Sequence, residues 1–223
     1  MGFDFNYMLG LLPILLKYLG STMEMAIWGL FFALILSLIL ANIRVFKIPV
    51  LDQLSQLYIS FFRGTPLLVQ LFLLYYGLPQ VFPWMVGLDA FGAAVIGLTL
   101  HFAAYMAEGI RAAIIGIDRS QMEASLSVGM TTSQAMRRVI LPQATRVALP
   151  SLMNYFIDMI KSTSLAFTLG VAEIMAKAQM EASSSFRFFE AFLAVALIYW
   201  GVVVILTRIQ IWAEVKLNKA YVR

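Results

Sequence analysis

His101, Tyr105 and Glu108 stand at i, i+4 and i+7, the spacing that puts three side chains on one helical face. An imidazole, a phenol and a carboxylate in that order can line a polar path, with Glu108 placed to meet an ammonium group. The same face can instead form a helix-packing network, with Glu108 paired to Arg111 or Arg63 and His101 bonded to a neighbouring helix. Arg63-Gly-Thr-Pro66 offers a guanidinium to a carboxylate, or an anchor that snorkels to a boundary. Its proline lacks an amide donor and its glycine admits close approach, so carbonyls around Thr65 need other partners. Thr65 and Gln70, the latter at i+7 from Arg63, read as path-facing polar groups. Lys161, Thr163 and Ser164 gather an ammonium and hydroxyls able to touch a zwitterion, and Asp158, one turn earlier, can neutralise Lys161.

What must position these groups follows from composition. The chain has 223 residues, is 61% hydrophobic and 13% charged, and has a mean hydropathy of +0.86. Soluble domains are about 45–50% apolar and about 25% charged. Too little polar surface remains to coat a water-soluble globule, so the expected class is an all-α integral membrane protein. Cysteine is absent and His101 is the single histidine, which excludes thiolate metal sites and disulfides and argues against histidine-rich metal sites and serine–histidine hydrolysis. An intramembrane protease would need a nucleophile–base pair or two deep aspartates, and only Asp158 is clearly deep. The formal charge of +4 fits basic cytoplasmic loops better than nucleic acid.

A membrane-crossing helix needs about 20 mostly apolar residues. Five segments qualify: Met23–Ile43, Leu57–Leu78, Phe91–Ile110, Val147–Leu169 and Phe189–Thr207. The weakest is the fourth, with Asp158 and Lys161 inside it. Residues 1–21, interrupted by Pro13 and Lys17, are too short to span and read as an interfacial amphipathic helix. With no basic stretch before them and no small-residue cleavage site after, they do not read as a signal peptide. Residues 22–223 form the transmembrane domain. Arg44, Lys47, the five arginines between Arg111 and Arg146, and Arg208, Lys216, Lys219 and Arg223 fall on one side; Lys17, Lys177 and Arg187 fall on the other. The positive-inside bias puts the N-terminus outside and the C-terminus in the cytoplasm. No repeat of the whole chain is visible, which disfavours an inverted-repeat secondary transporter.

The basic loop at 111–146 reads as a built structure. Ser120 and Glu123 fit a capping box, helix formers follow, and Gly129 suits a left-handed stop. Thr131 and Gln134 fit a second box that opens a helix through Ile140, and Pro142 then interrupts or redirects it. Met122, Leu126, Met130 and Met136 offer adaptable apolar contacts, and Arg137 and Arg138 offer charge. The simpler alternative is a loop packed on its own protein or on lipid headgroups.

Glu123-Ala124-Ser125, then Gly129, then Ile140-Leu141-Pro142 resembles the EAA loop of permease subunits of binding-protein-dependent ABC importers; Ser125 stands where alanine is frequent. GMTTSQAMRRVILPQATRVALP, FRGTPLLVQLFLLYYGLP, AAYMAEGIRAAI and KSTSLA resemble the polar amino-acid branch, and within it L-cystine permease subunits. The resemblance implies the type I permease fold, with five transmembrane helices, an N-terminal interfacial helix and a cytoplasmic coupling helix. It implies docking of Glu123, Ala124, Ser125, Gly129, Met130, Thr131, Arg137, Arg138, Leu141 and Pro142 against an ABC ATPase dimer. Further implied partners are a second permease subunit (a homodimer is favoured), an extracytoplasmic solute-binding protein and membrane lipid. ATP and magnesium would sit on the ATPase, leaving this chain without cofactor or catalysis. The residues agree, since no G-x-x-x-x-G-K-[S/T] is present. The expected function is import of a polar amino acid, L-cystine first, across a bacterial inner membrane by alternating access. Glutamine, histidine or arginine is the alternative substrate, and a self-sufficient channel or secondary transporter the alternative machine.

Overall fold

A computed structural model describes the backbone of residues 2–218; Lys219 and Arg223, counted above on the C-terminal basic side, lie outside the described residues. Within the described residues the chain is helical, without strands. Asp4 opens α1 (Phe5–Leu16) by accepting the Tyr7 amide at 3.0 Å. Met8, Leu11 and Leu15, spaced along one face of α1, are buried. α2 (Leu19–Phe46) follows almost directly, and α3 (Leu51–Gly64) begins four residues after a left-handed Lys47.

The second apolar segment departs from the expected Leu57–Leu78 span. α3 ends at Gly64, Thr65 is extended, and the chain turns by 110° into α4 (Leu67–Phe72), a π-turn (Leu73–Gly77) and α5 (Leu78–Val81). Pro66 has no amide for the Phe62 carbonyl, so α3 cannot continue. A break was legible there; its size was not. α6 (Ala90–Ile115) starts on an Asp89 cap. α7 (Arg119–Ser127) and α8 (Thr132–Ala135) build the loop. From α8 the helix runs on through a π-turn (Met136–Ile140), α9 (Leu141–Ser162) and a tight 3₁₀ stretch (Thr163–Leu169). It bends by 54° into α10 (Ile174–Ser185), and α11 (Phe188–Asn218) closes the fold. By length and apolarity α2, α6 and α11 can each cross a membrane alone, and the total reaches five where each bent pair serves as one span.

Pro142 does not interrupt its helix. The π-turn before it shifts the bond of the Leu141 amide to the Met136 carbonyl, five residues back. Widening by one residue relieves the clash a proline ring makes with the carbonyl four positions earlier. Leu73–Gly77 does the same ahead of Pro79, where the Leu78 amide bonds the Leu73 carbonyl. Both π-turns thus precede a Leu-Pro pair.

α2 and α6 form the axis of the bundle. Gly29, Ala33, Ser37 and Ala41 recur every fourth residue on α2 and are buried. On α6, Leu98 lies against Gly29 and the Thr99 hydroxyl donates to Gly29 O at 3.5 Å. Without water to expel, close approach of small residues supplies the dispersion that holds membrane helices together. Leu71 of α4 sits so close to Gly97 that a Cβ there would lie 2.4 Å from its Cδ2. A second cluster joins Met8, Leu11 and Leu15 to Ala178 and Ala182 of α10 and Ala191 and Ala194 of α11, so α1 is docked on the bundle along its buried face.

Candidate functional site

The loop joining α6 to α9 is built from its caps. Asp118, not Ser120, caps α7: its Oδ1 accepts the Ser120 amide at 2.9 Å, and Ser120 donors hold the Asp118 carboxyl below the usual carboxylate range. The expected Ser120–Glu123 box therefore does not form, because Asp118 claims the cap position and Ser120 falls inside the helix. Gly129 takes φ +84°. Its amide bonds Leu126 O at 3.0 Å and the Met130 amide bonds Ser125 O at 3.1 Å, the paired bonds of a Schellman stop. The second box forms as read: Gln134 N–H donates to Thr131 Oγ1 at 3.3 Å and Thr131 N–H to Gln134 Oε1 at 2.9 Å.

Ser125 is buried and its hydroxyl donates to Gln121 O at 2.7 Å, while Glu123, Ala124, Leu126 and Val128 point outward. Met130 is half-buried; Thr131, Arg137, Arg138, Leu141 and Pro142 are exposed. Beneath α7, Ile114, Met122, Met136 and Ile140 line a gap of about 170 Å³. α7 thus turns Met122 and Ser125 inward, onto a base of adaptable side chains, and exposes the rest of its surface.

Within the bundle, Gln70 serves the α3–α4 break. It is buried, and its Nε2 donates to Phe62 O at 3.0 Å, Thr65 O at 3.1 Å and Thr65 Oγ1 at 2.8 Å. The Phe62 carbonyl that Pro66 cannot serve is satisfied this way. Gln70 Oε1 lies 2.9 Å from His101 Nδ1, so the amide of Gln70 is fully engaged rather than held free toward a path. Thr65 in turn donates to Phe61 O at 2.8 Å.

His101, Tyr105 and Glu108 do share a face of α6. The His101 and Tyr105 rings are 5.1 Å apart, Tyr105 lies 6.0 Å from the Tyr155 ring of α9, and the Arg63 guanidinium is 5.3 Å from the Tyr105 ring centre. Arg111 grips Glu108 with a two-pronged contact at 2.7 and 3.1 Å, and Arg44 Nε lies 3.7 Å from Glu108 Oε1 while its Nη1 pairs with Asp52 at 2.8 Å. Of the partners read from sequence, Arg111 is thus in contact with Glu108. Arg63 and Glu108 nevertheless open, with Ser151 and Tyr155, into one cleft of about 470 Å³. A cation and an anion facing one volume can take the two ends of a zwitterion.

Lys161 and Asp158 form the expected pair at 2.6 Å, both half-exposed. The hydroxyls beside them are committed: Thr163, fully buried, donates to Ile160 O at 2.7 Å, and Ser164 donates to Lys161 O at 2.7 Å. They secure the 3₁₀ stretch and are not turned to the cleft of Arg63 and Glu108. Sequence reasoning missed Glu173, which is fully buried at the 54° bend. Its Oε1 accepts the Ala176 amide at 2.7 Å, capping α10, and its Oε2 accepts from Tyr199 OH at 3.4 Å. The usable signal was an acid three residues after Gly170, itself left-handed at φ +93°.

Comparison with known proteins agrees across the chain. The sequence profile of the family described as binding-protein-dependent transport system inner membrane component matches residues 33–219. A probable amino-acid ABC transporter permease protein of Vibrio harveyi, PatM, is 93% identical over the whole of both chains. The L-cystine transport system permease protein TcyL of Bacillus subtilis (strain 168) is 39% identical, covering 99% of this chain and 94% of its own. A crystal structure of an amino acid ABC transporter with histidines superposes with a TM-score of 0.90 at 34% identity, over 97% of this chain and all of that one.

Proposed function

The chain belongs to the family of binding-protein-dependent transport system inner membrane components, and from that premise we propose that it carries L-cystine into the cytoplasm by alternating access. It is an amino-acid ABC transporter permease subunit, a multi-pass inner-membrane protein of transport rather than catalysis, with ATP hydrolysis in a separate subunit. Cystine is favoured by likeness to a named cystine permease; another polar amino acid such as glutamine, histidine or arginine is the alternative. We assign the N-terminus to the outside, the partner permease to a second copy, and ATPase docking to α7 through Gly129, with Arg138 and Pro142 alongside.

The observation that carries the path is the cleft shared by Arg63 and Glu108. Arg63, already held over Tyr105, offers its guanidinium to an α-carboxylate, a pairing that favours bidentate geometry. Glu108 offers an acceptor to the ammonium group. Because Arg111 and Arg44 already neutralise Glu108, the ammonium is held loosely, as a transit site requires. Closure of the ATPase dimer would tilt the rods ending on α7 and α8 and switch the cleft from one side to the other.

The test is uptake into proteoliposomes holding the permease, its ATPase and its binding protein. Cystine uptake should require ATP and fall in Glu108→Gln and Arg63→Gln. Uptake without the ATPase would overturn the importer reading. Full ATP-driven uptake of arginine or glutamine with none of cystine would overturn the substrate alone.

A further inference from the structure

A cavity of about 450 Å³ lies away from the cleft, between the end of α2, the end of α6 and the start of the α8–α9 rod. Val45, Phe46, Ile114 and Leu141 give it apolar walls, and Arg137 and Asn42 give it a polar edge. No acidic residue lines it. Arg137 is exposed and enters no ion pair among the described residues. Lys47, directly after α2, and Arg138, beside Arg137, add positive charge. By contrast Arg44, one turn earlier, is balanced by Asp52 and Glu108. Asn42 spends its Nδ2 on Leu38 O at 2.8 Å, which leaves its carbonyl oxygen as an acceptor.

Depth identifies the occupant. α2 is a membrane-crossing helix that stops at Phe46, so its last turn lies where hydrocarbon gives way to headgroups. We propose that this cavity binds the headgroup of an anionic phospholipid, its phosphate on Arg137 and its upper acyl chain along Phe46, Val45 and Leu141. A guanidinium matches a phosphodiester in charge and geometry, and the surrounding positive charge favours anionic lipid at a cytoplasmic surface. The site joins α2 to the π-turn on which Arg137 sits, so bound lipid would brace the coupling segment against the bundle. The leaflet assignment rests on the orientation proposed above; the choice of amino-acid substrate does not enter.

The test uses the full-length chain in detergent, offered phosphatidylglycerol or phosphatidylcholine and examined by native mass spectrometry. Phosphatidylglycerol should be retained preferentially. Arg137→Gln should lower its retention about tenfold, the effect of losing one charge-assisted hydrogen bond, while Arg138→Gln should change it less than about twofold, its side chain lying outside the cavity. Val45→Trp, which fills the cavity and leaves Arg137 in place, should lower retention as well, and circular dichroism would verify that each variant stays helical. Equal retention of both lipids would overturn the proposal, as would undiminished retention in both Arg137→Gln and Val45→Trp. So would displacement by inorganic phosphate alone, which would mark a free-anion site, or by added ATPase subunit, which would mark a protein-docking surface.

Discussion

Replacing Gln70 by leucine removes the group that substitutes for the missing amide of Pro66. Leucine keeps the volume and apolar contacts, so the loss is confined to hydrogen bonding. Two part-buried carbonyls, Phe62 O and Thr65 O, lose the donor at 3.0 and 3.1 Å, and His101 loses its 2.9 Å contact. An unsatisfied buried polar group costs about 1–3 kcal/mol, which for two carbonyls gives about 2–6 kcal/mol. Interhelical hydrogen bonds in membranes average nearer about 0.6 kcal/mol, because the unfolded chain in the bilayer also finds partners. Here the acceptors belong to a backbone break that a regular helix would have satisfied, so we expect the low end of the larger range, about 2 kcal/mol. Reversible unfolding in mixed micelles with increasing SDS would measure it. Adding Thr65→Val completes a double-mutant cycle, whose coupling should be about 1 kcal/mol if the Gln70–Thr65 bond at 2.8 Å contributes. A Gln70→Leu change below about 0.5 kcal/mol, the size of an ordinary surface substitution, would refute the argument that this side chain holds the 110° turn together.

Three further outcomes are expected. Gly129→Val forces a β-branched residue into φ +84° at a cost of about 1–3 kcal/mol; hydrogen exchange across residues 119–135 should rise and ATPase co-purification fall, while membrane insertion persists. Gly97→Ala drives a Cβ to within 2.4 Å of Leu71 Cδ2 and should destabilise by about 1–3 kcal/mol; an unchanged melting temperature would disprove the tight α4–α6 contact. Glu173→Leu removes the α10 cap and should cost about 1–2 kcal/mol, while Glu173→Gln, which keeps the acceptor for the Ala176 amide, should cost less; equal losses in thermal unfolding would show that the cap is not what matters.

How far residues alone reach depends on whether their information is local. The long apolar runs of α2, α6 and α11 were legible because hydrocarbon thickness sets one length for all of them. The Thr131–Gln134 box and the Gly129 stop were legible because both are local geometry. Ser120–Glu123 matched the same pattern and failed, since Asp118 competed for the cap from two residues upstream. Gln70 could be marked as polar, but its task exists only once the 110° bend brings it back to Phe62. Glu108 carried two readings, and its geometry serves both: Arg111 holds it while it opens into the cleft. Glu173 went unremarked because its partner Tyr199 is 26 residues away in sequence.

The two π-turns have a consequence for how this chain tolerates change in length. A π-turn is an α-helix carrying one residue too many, and one residue is about 100° of rotation. In Leu67–Val81 and again in Thr132–Ser162, the stretch after the turn is therefore out of phase with the stretch before it. No single wheel describes either helix. Deleting one residue within Leu73–Gly77 or Met136–Ile140 would restore a regular ladder and swing everything downstream by roughly a quarter-turn. At Met136–Ile140 that would rotate α9, which packs on α6, relative to the Thr131-capped α8 before it, so the cap and the packed face could not both keep their places. A deletion that looks harmless on a hydropathy plot would there act as a rotation.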